Sequence, residues 1–217
     1  MNLRSTKLRI TEIFHSLQGE SNTVGLPTVF VRLTGCPLRC QYCDTAYAFS
    51  GGQLLELEDI LTKVASFQCT HVCVTGGEPL AQPDCYPLLK ALCDKGFYVS
   101  LETSGARDIS QVDERVIIVM DLKTPDSGEC SKNLLTNLIH LKKTDQIKFV
   151  LCSQADYDWA CNMLKEYQLA QKAQILFSPS WQELDATMLA DWIIRDRLPV
   201  RFQLQLHKIL WNDAPGH

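Results

Sequence analysis

A chain of 217 residues is long enough for one large domain with a substantial core. Hydrophobic residues make up 46% of it and charged residues 21%, and no apolar run approaches the length of a bilayer span, which excludes a helical membrane protein. The formal net charge is −4 and Lys and Arg are scattered without a basic block, so the composition favours a small-molecule partner over a nucleic acid.

The N-terminal stretch MNLRSTKLRITEIF has no apolar region followed by a small-residue cleavage site, and a cytoplasmic chain is expected. Ten cysteines in such a setting should be reduced, so some of them should bind something. No repeat, low-complexity tract or linker divides residues 1–217, and a single domain is expected.

In chain order, the first segment of note is LQGE, Leu17 to Glu20, whose glycine suits either a turn closing a hairpin or backbone exposed to a ligand. A strand is predicted over 28–33, and Arg32 lies inside it, in VFVRLTG. Pointing inward, that charge requires a partner; pointing outward, it is simply solvated. The strand runs into GCPLRCQYCDT, which sets Cys36, Cys40 and Cys43 at C-x3-C-x2-C spacing, with Asp44-Thr45 readable as a helix cap.

Further strands are predicted over 71–75, 98–102, 116–122, 146–151, 174–178 and 201–207, each but the last followed by room for a helix. The polar and glycine-rich clusters fall at strand ends: GGEP at Gly76, Gly77, Glu78 and Pro79; ETSG from Glu102 to Gly105; DLK from Asp121 to Lys123; and Ser178-Pro179. Trp159, Met163, Leu164 and Tyr167 form one helical stripe and Leu184, Met188, Leu189, Trp192 and Ile193 another, both expected in the core. Cys69, Cys73, Cys85, Cys93, Cys130, Cys152 and Cys161 are read as small core hydrophobes. About six βα units fall short of a closed barrel of about 250 residues. The expected fold is therefore α/β, an incomplete parallel (β/α)6-type barrel, with the polar clusters gathered at the C-terminal edge of the sheet.

Three cysteines without a local fourth ligand do not close a structural zinc site, although zinc with a distant fourth ligand would make the chain a zinc-stabilised interaction module. A [4Fe–4S] cluster held by three thiolates keeps one iron open to a small ligand. Here the chain resembles the radical S-adenosylmethionine (SAM) superfamily, which carries this spacing and in which SAM chelates the open iron. The resemblance implies that Cys36, Cys40 and Cys43 hold the cluster. It implies that Tyr42 packs against cluster and adenine, that Gly76, Gly77 and Glu78 receive the SAM amino group, and that Ser104 and Lys123 contact SAM. Ser178 and Pro179 would supply a backbone contact to the adenine.

Over nearly its whole length, through LQGE, RLTGC, CDT, TGGEP, ETSG and QLHK in order, the chain is similar to the 7-carboxy-7-deazaguanine synthase family of queuosine biosynthesis. That resemblance implies a radical ring contraction of 6-carboxy-5,6,7,8-tetrahydropterin with loss of ammonia and regeneration of SAM. Leu17, Gln18, Gly19, Glu20, Arg32 and Thr75 would then bind substrate, with Arg32 pairing its carboxylate, and Thr45 would ligate Mg2+. An electron donor such as flavodoxin or ferredoxin and a homodimer are also implied. A glycyl-radical activating enzyme, with a protein partner and a docking groove, is the rival within the superfamily. Some members end soon after the QLHK-like segment and place their terminal carboxylate near the substrate. This chain continues through ILWNDAPGH, so that contact is not carried over, and His207 reads as a hydrogen-bonded core histidine.

Overall fold

Strand residues alternate between two faces, and in this protein the two faces differ in chemistry. The computed structural model describes residues 6–212 and residue 214. Its regular elements are β1 (Lys7–Leu17), β2 (Pro27–Leu33), β3 (Gln53–Glu56), α1 (Leu57–Ser66), β4 (His71–Gly76), α2 (Cys85–Asp94) and β5 (Tyr98–Thr103). There follow β6 (Ile117–Asp121), β7 (Gln146–Leu151), α3 (Gln154–Glu166), β8 (Gln174–Pro179), α4 (Ala186–Asp196), β9 (Arg201–Phe202) and α5 (Leu206–Trp211).

Among the described residues the strands form one nine-stranded sheet in the order β3-β1-β2-β4-β5-β6-β7-β8-β9. Neighbours from β2 to β9 are parallel, while β1 runs antiparallel to both β2 and β3. The sheet ends on β3 at one edge and β9 at the other, so it stays open, as an incomplete barrel does.

The outer face carries Val29, Val31 and Leu33 of β2, Val72 and Val74 of β4, Ile118 and Met120 of β6, and Ile147 and Phe149 of β7. They pack against Ile60 and Val64 of α1, Leu88, Leu89 and Leu92 of α2, Tyr157 and Ala160 of α3, and Leu189 and Ile193 of α4 in one apolar cluster. Each large side chain buried there stabilises the fold by about 1.5–3 kcal/mol. The residues between them, Arg32, Thr75, Glu102, Asp121 and Lys148, turn to the concave face and line a cavity.

Several expectations are corrected. β1 and β3 were not foreseen, and they add an antiparallel edge to the parallel sheet. The connection after β5, with Ser104-Gly105, Asp108, Ser110 and Asp113, carries no regular helix, and that after β6, which opens on Thr124-Pro125-Asp126-Ser127-Gly128, carries only 3-10 turns, at Pro125–Ser127, Cys130–Lys132 and Leu135–Ile139. The last strand stops at Phe202, and Leu206–Trp211 is helical, so the alternation read in RFQLQLH is only partly a strand. Met188 is exposed on α4. Of the seven cysteines read as core, Cys73, Cys85 and Cys93 are buried, whereas Cys69, Cys130, Cys152 and Cys161 are half-buried. No helix among the described residues is long and apolar enough to cross a membrane.

The loop after β6 is fastened to the start of α3 by one buried carboxylate. Asp156 accepts from Thr124 Oγ1 at 2.9 Å, Asp126 N at 3.0 Å and Cys152 N at 3.0 Å, and it is 0% exposed. Asp156→Ala strands these donors in the interior, and at about 1–3 kcal/mol for each unsatisfied group it should lower stability by about 3–5 kcal/mol in denaturant titration. Asp158→Ala, on the exposed side of the same helix, should stay within about 0.5 kcal/mol of the parent.

Candidate active site

The cavity above the C-terminal edge of the sheet has a volume of about 490 Å3. Its rim on one side is the segment between β2 and the 3-10 turn Ala46–Phe49, which carries Cys36, Cys40 and Cys43. All three thiols are free, half-buried and part of the cavity wall. The segment is held from outside: Arg39 N donates to Glu129 Oε1 at 2.7 Å and Gln41 N to Ser127 O at 3.0 Å. The Arg39 guanidinium folds back on the Cys36 and Leu38 carbonyls and stacks on Phe49 at 4.2 Å. Burial pushes the Cys40 thiol up to about 11 against the pull of Lys123, so ligation there displaces a proton. Burial raises the Cys36 thiol as well.

Against the cysteine segment lies the end of β4. A Cβ on Gly77 would collide with the Gly35 carbonyl oxygen and come within 2.7 Å of Cys36 Cβ, so only glycine lets this backbone lie against the cysteine segment. Glu78 N donates to Gly35 O at 2.8 Å. The Glu78 side chain points away from the cavity and is 0% exposed, accepting from Leu80 N, Thr103 Oγ1, Ser104 N and Ser104 Oγ. Its carboxylate therefore ties the GGEP turn to the end of β5, and Gly76 and Gly77 are the members of that turn in the cavity wall. Ser104 lines the cavity while its hydroxyl donates to Glu78 at 2.5 Å. Lys123 Nζ sits 3.1 Å from Asp121 Oδ2 and 5.4 Å from the centre of the Tyr42 ring, and both residues line the cavity. The Tyr42 hydroxyl and Asp121 Oδ1 are buried with no hydrogen-bond partner among the described residues. Ser178 and Pro179 lie outside this cavity wall, which at that point is formed by Ser180 and Trp181.

The third side is LQGE. Leu17, Gln18, Gly19 and Glu20 all line the cavity where β1 ends. Gln18 Oε1 accepts from Glu20 N at 3.1 Å, and Gln18 Nε2 donates to Glu102 Oε1 at 3.4 Å. Thr75 Oγ1 donates to Glu102 Oε2 at 3.2 Å. Glu20 accepts from Lys148 Nζ at 2.5 Å and from Gln205 Nε2 at 2.8 Å. Burial works to raise the Glu20 carboxyl, but Lys148 beside it prevails and holds it below its ordinary value. A Cβ on Gly19 would overlap the His207 ring, and Leu206 N donates to Gly19 O at 3.0 Å, so the C-terminal segment closes over this turn. Arg32 turns inward, and its charge is met by Glu12 at 2.7 Å. Thr45 Oγ1 lies 3.9 Å from Cys43 Sγ and 3.3 Å from Asp44 Oδ1, and Lys208 Nζ binds Asp44 Oδ2 at 2.9 Å.

Glu12, Tyr47, Lys148 and Gln205 were missed as site residues, and Asp121 was placed at the mouth only as part of the DLK cluster. Period-two alternation from Lys148 through Val150 was the available signal for one of them, since it shares a face with a cavity-lining neighbour. The segment Asp213 and 215–217 of the C-terminal extension lies outside the described residues.

Among the described residues, no three His, Cys, Asp or Glu side chains converge on a position for a single metal ion. Three free thiols spread along one cavity wall fit a multi-iron cluster instead, with the open cavity beside them for a ligand on it. The comparisons agree. The model of the Radical SAM superfamily matches residues 30–127, from β2 through the cysteines, GGEP and ETSG to DLK. A 7-carboxy-7-deazaguanine synthase from Chlorobaculum tepidum is 45% identical over 96% of this chain and 97% of its own length. One from Thermoplasma acidophilum is 39% identical over 95% and 99%. The crystal structure of QueE from Escherichia coli superimposes with a TM-score of 0.77 at 25% identity, covering 93% of this chain and 95% of that one. Full-length likeness at this level, on an open sheet whose cysteine segment faces LQGE across one cavity, places the chain in the 7-carboxy-7-deazaguanine synthase family of radical SAM enzymes.

Proposed function

We propose that the cavity binds 6-carboxy-5,6,7,8-tetrahydropterin and contracts its ring to 7-carboxy-7-deazaguanine with release of ammonia, as a step of queuosine biosynthesis. The observation that carries this reading is that the three thiols, the Gly76-Gly77 backbone, LQGE and Arg32 all face one cavity. A [4Fe–4S] cluster and SAM belong to the radical SAM superfamily, and when bound they supply one-electron chemistry that removes hydrogen from an unactivated carbon.

The chain's own residues then divide the work. Cys36, Cys40 and Cys43 would hold the cluster. Gly76 and Gly77 offer backbone close to the cysteine segment for the SAM amino group, while Tyr42, Ser104 and Lys123 stand around the rest of the cofactor. Ser178 and Pro179 are retained only as backbone neighbours of the adenine, because Ser180 is the β8-side residue in the wall. Glu78 acts by holding the GGEP turn, its carboxylate being fully engaged.

Leu17, Gln18, Gly19, Glu20 and Thr75 line the side on which a planar pterin with donors and acceptors along its edge is read. Arg32 is assigned to the substrate carboxylate. Thr45 is assigned to Mg2+, completing a shell of substrate oxygens and waters, and its place in the wall beside Cys43 supports that role. A flavodoxin or ferredoxin as electron donor and a homodimer complete the proposal; exposed Ile194, Ile209 and Leu210 on α4 and α5 support the second.

Anaerobic incubation with SAM, reductant and Mg2+ should convert the pterin to the deazaguanine, with one ammonia released per product. SAM cleavage without pterin consumption under every metal condition would leave the superfamily chemistry and remove this substrate. Cys36→Ala, Cys40→Ala and Cys43→Ala should each lose the iron and sulfide of the reconstituted protein, whereas Cys85→Ala and Cys93→Ala should keep both. Thr45→Ala should blunt the response of turnover to added Mg2+ while SAM cleavage without substrate continues.

A further inference from the structure

Arg32 is the only charge on the concave face of β2, and the way it is held is not explained by cancelling that charge alone. Its Nε donates to Glu12 Oε1 at 2.7 Å, and Tyr47 OH donates to the same oxygen at 2.8 Å. Glu12 stands opposite Arg32 in the β1–β2 ladder, so the register of two antiparallel strands fixes the pair. The guanidinium carbon lies 5.8 Å from the centre of the Phe14 ring and 5.8 Å from that of Tyr47, and an aromatic side chain is therefore packed near the cation from each of two elements. Phe14, Arg32 and Tyr47 line the cavity, whereas Glu12 does not.

The two terminal nitrogens of Arg32 have no hydrogen-bond partner among the described residues. A guanidinium has one edge made of Nε and a terminal nitrogen and another made of both terminal nitrogens, and the second matches a carboxylate with two parallel hydrogen bonds. With Nε taken from outside the cavity, that second edge remains for a ligand inside it. An arginine free to rotate loses its rotamer freedom when a ligand arrives, and one already fixed does not.

We infer that Glu12 and Tyr47 are positioning residues that fix Arg32 by its Nε, setting its two terminal nitrogens as a ready fork for the carboxylate of the pterin. The inference rests on the reading of Arg32 as the partner of that carboxylate. Glu12 also answers the guanidinium charge: burial works against it, yet hydrogen bonding to Glu12 keeps the Arg32 pKa above its ordinary value. Tyr47 sits two residues beyond Thr45, in the 3-10 turn that follows the cysteine segment. The segment that carries the thiols thus also supplies one wall of the carboxylate subsite.

The test is anaerobic calorimetry on the reconstituted holoenzyme with two probes, 6-carboxytetrahydropterin and tetrahydropterin without the carboxylate. Glu12→Ala should weaken binding of the first by about 10- to 100-fold, the range of a lost hydrogen bond to a charged group, and leave the second unchanged. Glu12→Gln, which keeps an acceptor at the same place, should restore the carboxylated pterin to within about threefold. Tyr47→Phe should weaken the carboxylated pterin by about 3- to 10-fold and spare the other; it decides the matter if Glu12→Ala yields no holoenzyme. Equal weakening of both probes, or of neither, overturns the positioning role. Arg32→Ala separates the two levels. If it abolishes the preference for the carboxylated pterin while Glu12→Ala preserves it, only the positioning role fails. If Arg32→Ala itself preserves the preference, the assignment of Arg32 to the substrate carboxylate fails.

Discussion

Two lysines stand in the cavity, Lys148 on the concave face of β7 and Lys123 just beyond the end of β6, each only 11% exposed in its side chain, and the site is built around the carboxylates that neutralise them. An ammonium removed from water is costly unless an opposite charge reaches it with good geometry. Lys148 on β7 meets Glu20 at 2.5 Å and Asp121 at 3.7 Å, and Lys123 meets Asp121 at 3.1 Å. Burial alone works to lower the Lys148 pKa, but Glu20, Asp121 and Glu102 together hold it above the ordinary value. The pair stays ionised, and it draws the turn after β1 against a strand 128 residues further along the chain.

That attachment is extended by four consecutive residues near the C-terminus. Gln205 donates to Glu20, Leu206 N donates to Gly19 O, and Lys208 binds Asp44, the residue between Cys43 and Thr45. The His207 ring packs so closely on residue 19 that a Cβ there would force the ring to move. One short segment therefore fastens the substrate side of the cavity and the cysteine side to each other. The residues that touch the two proposed ligands are held in mutual register by charge pairs, while the outer face of the sheet is held by apolar packing. A fold that carries the two on opposite faces of the same strands can vary one with little cost to the other.

Much of this was legible in the sequence, and what was missed has a common cause. Cys36, Cys40 and Cys43, Gly76-Gly77 and LQGE are local patterns, in which spacing along the chain reports the chemistry directly. The parallel strands β4, β5 and β7 are short β-branched runs and fell close to their predicted bounds. β1 was overlooked because KLRITEIFHSL mixes charged, polar and apolar residues: Leu8 and Ile10 enter the core, Lys7, Arg9 and His15 are exposed, and Glu12 serves the site. RFQLQLHK alternates like a strand, yet it pairs with β8 only over Arg201 and Phe202 before turning to close over Gly19. Glu12, Tyr47, Lys148 and Gln205 acquire meaning only when register and crossover bring distant segments together. Glu78 illustrates the converse: its motif was visible, but the direction of its carboxylate follows from the place of Thr103 and Ser104 at the end of the neighbouring strand.

The measurement that reaches the centre of this account is the pH profile of kcat/KM for Lys148→Met, assayed with the pterin on fully reconstituted enzyme. Glu20 is faced by Lys148 from β7 and by Gln205 and His207 near the C-terminus, and Lys148 is the partner that outweighs its burial. With that cation gone, burial raises the Glu20 pKa, so the variant should lose activity as the pH is lowered through a range where the parent keeps it. The parent, with Glu20 held ionised, should show no such loss from this group. Cluster content and SAM binding should be unchanged in the variant. A profile that coincides with the parent's, or a loss of cluster in proportion to the loss of rate, would contradict the claim that this buried ion pair sets the substrate side of the site.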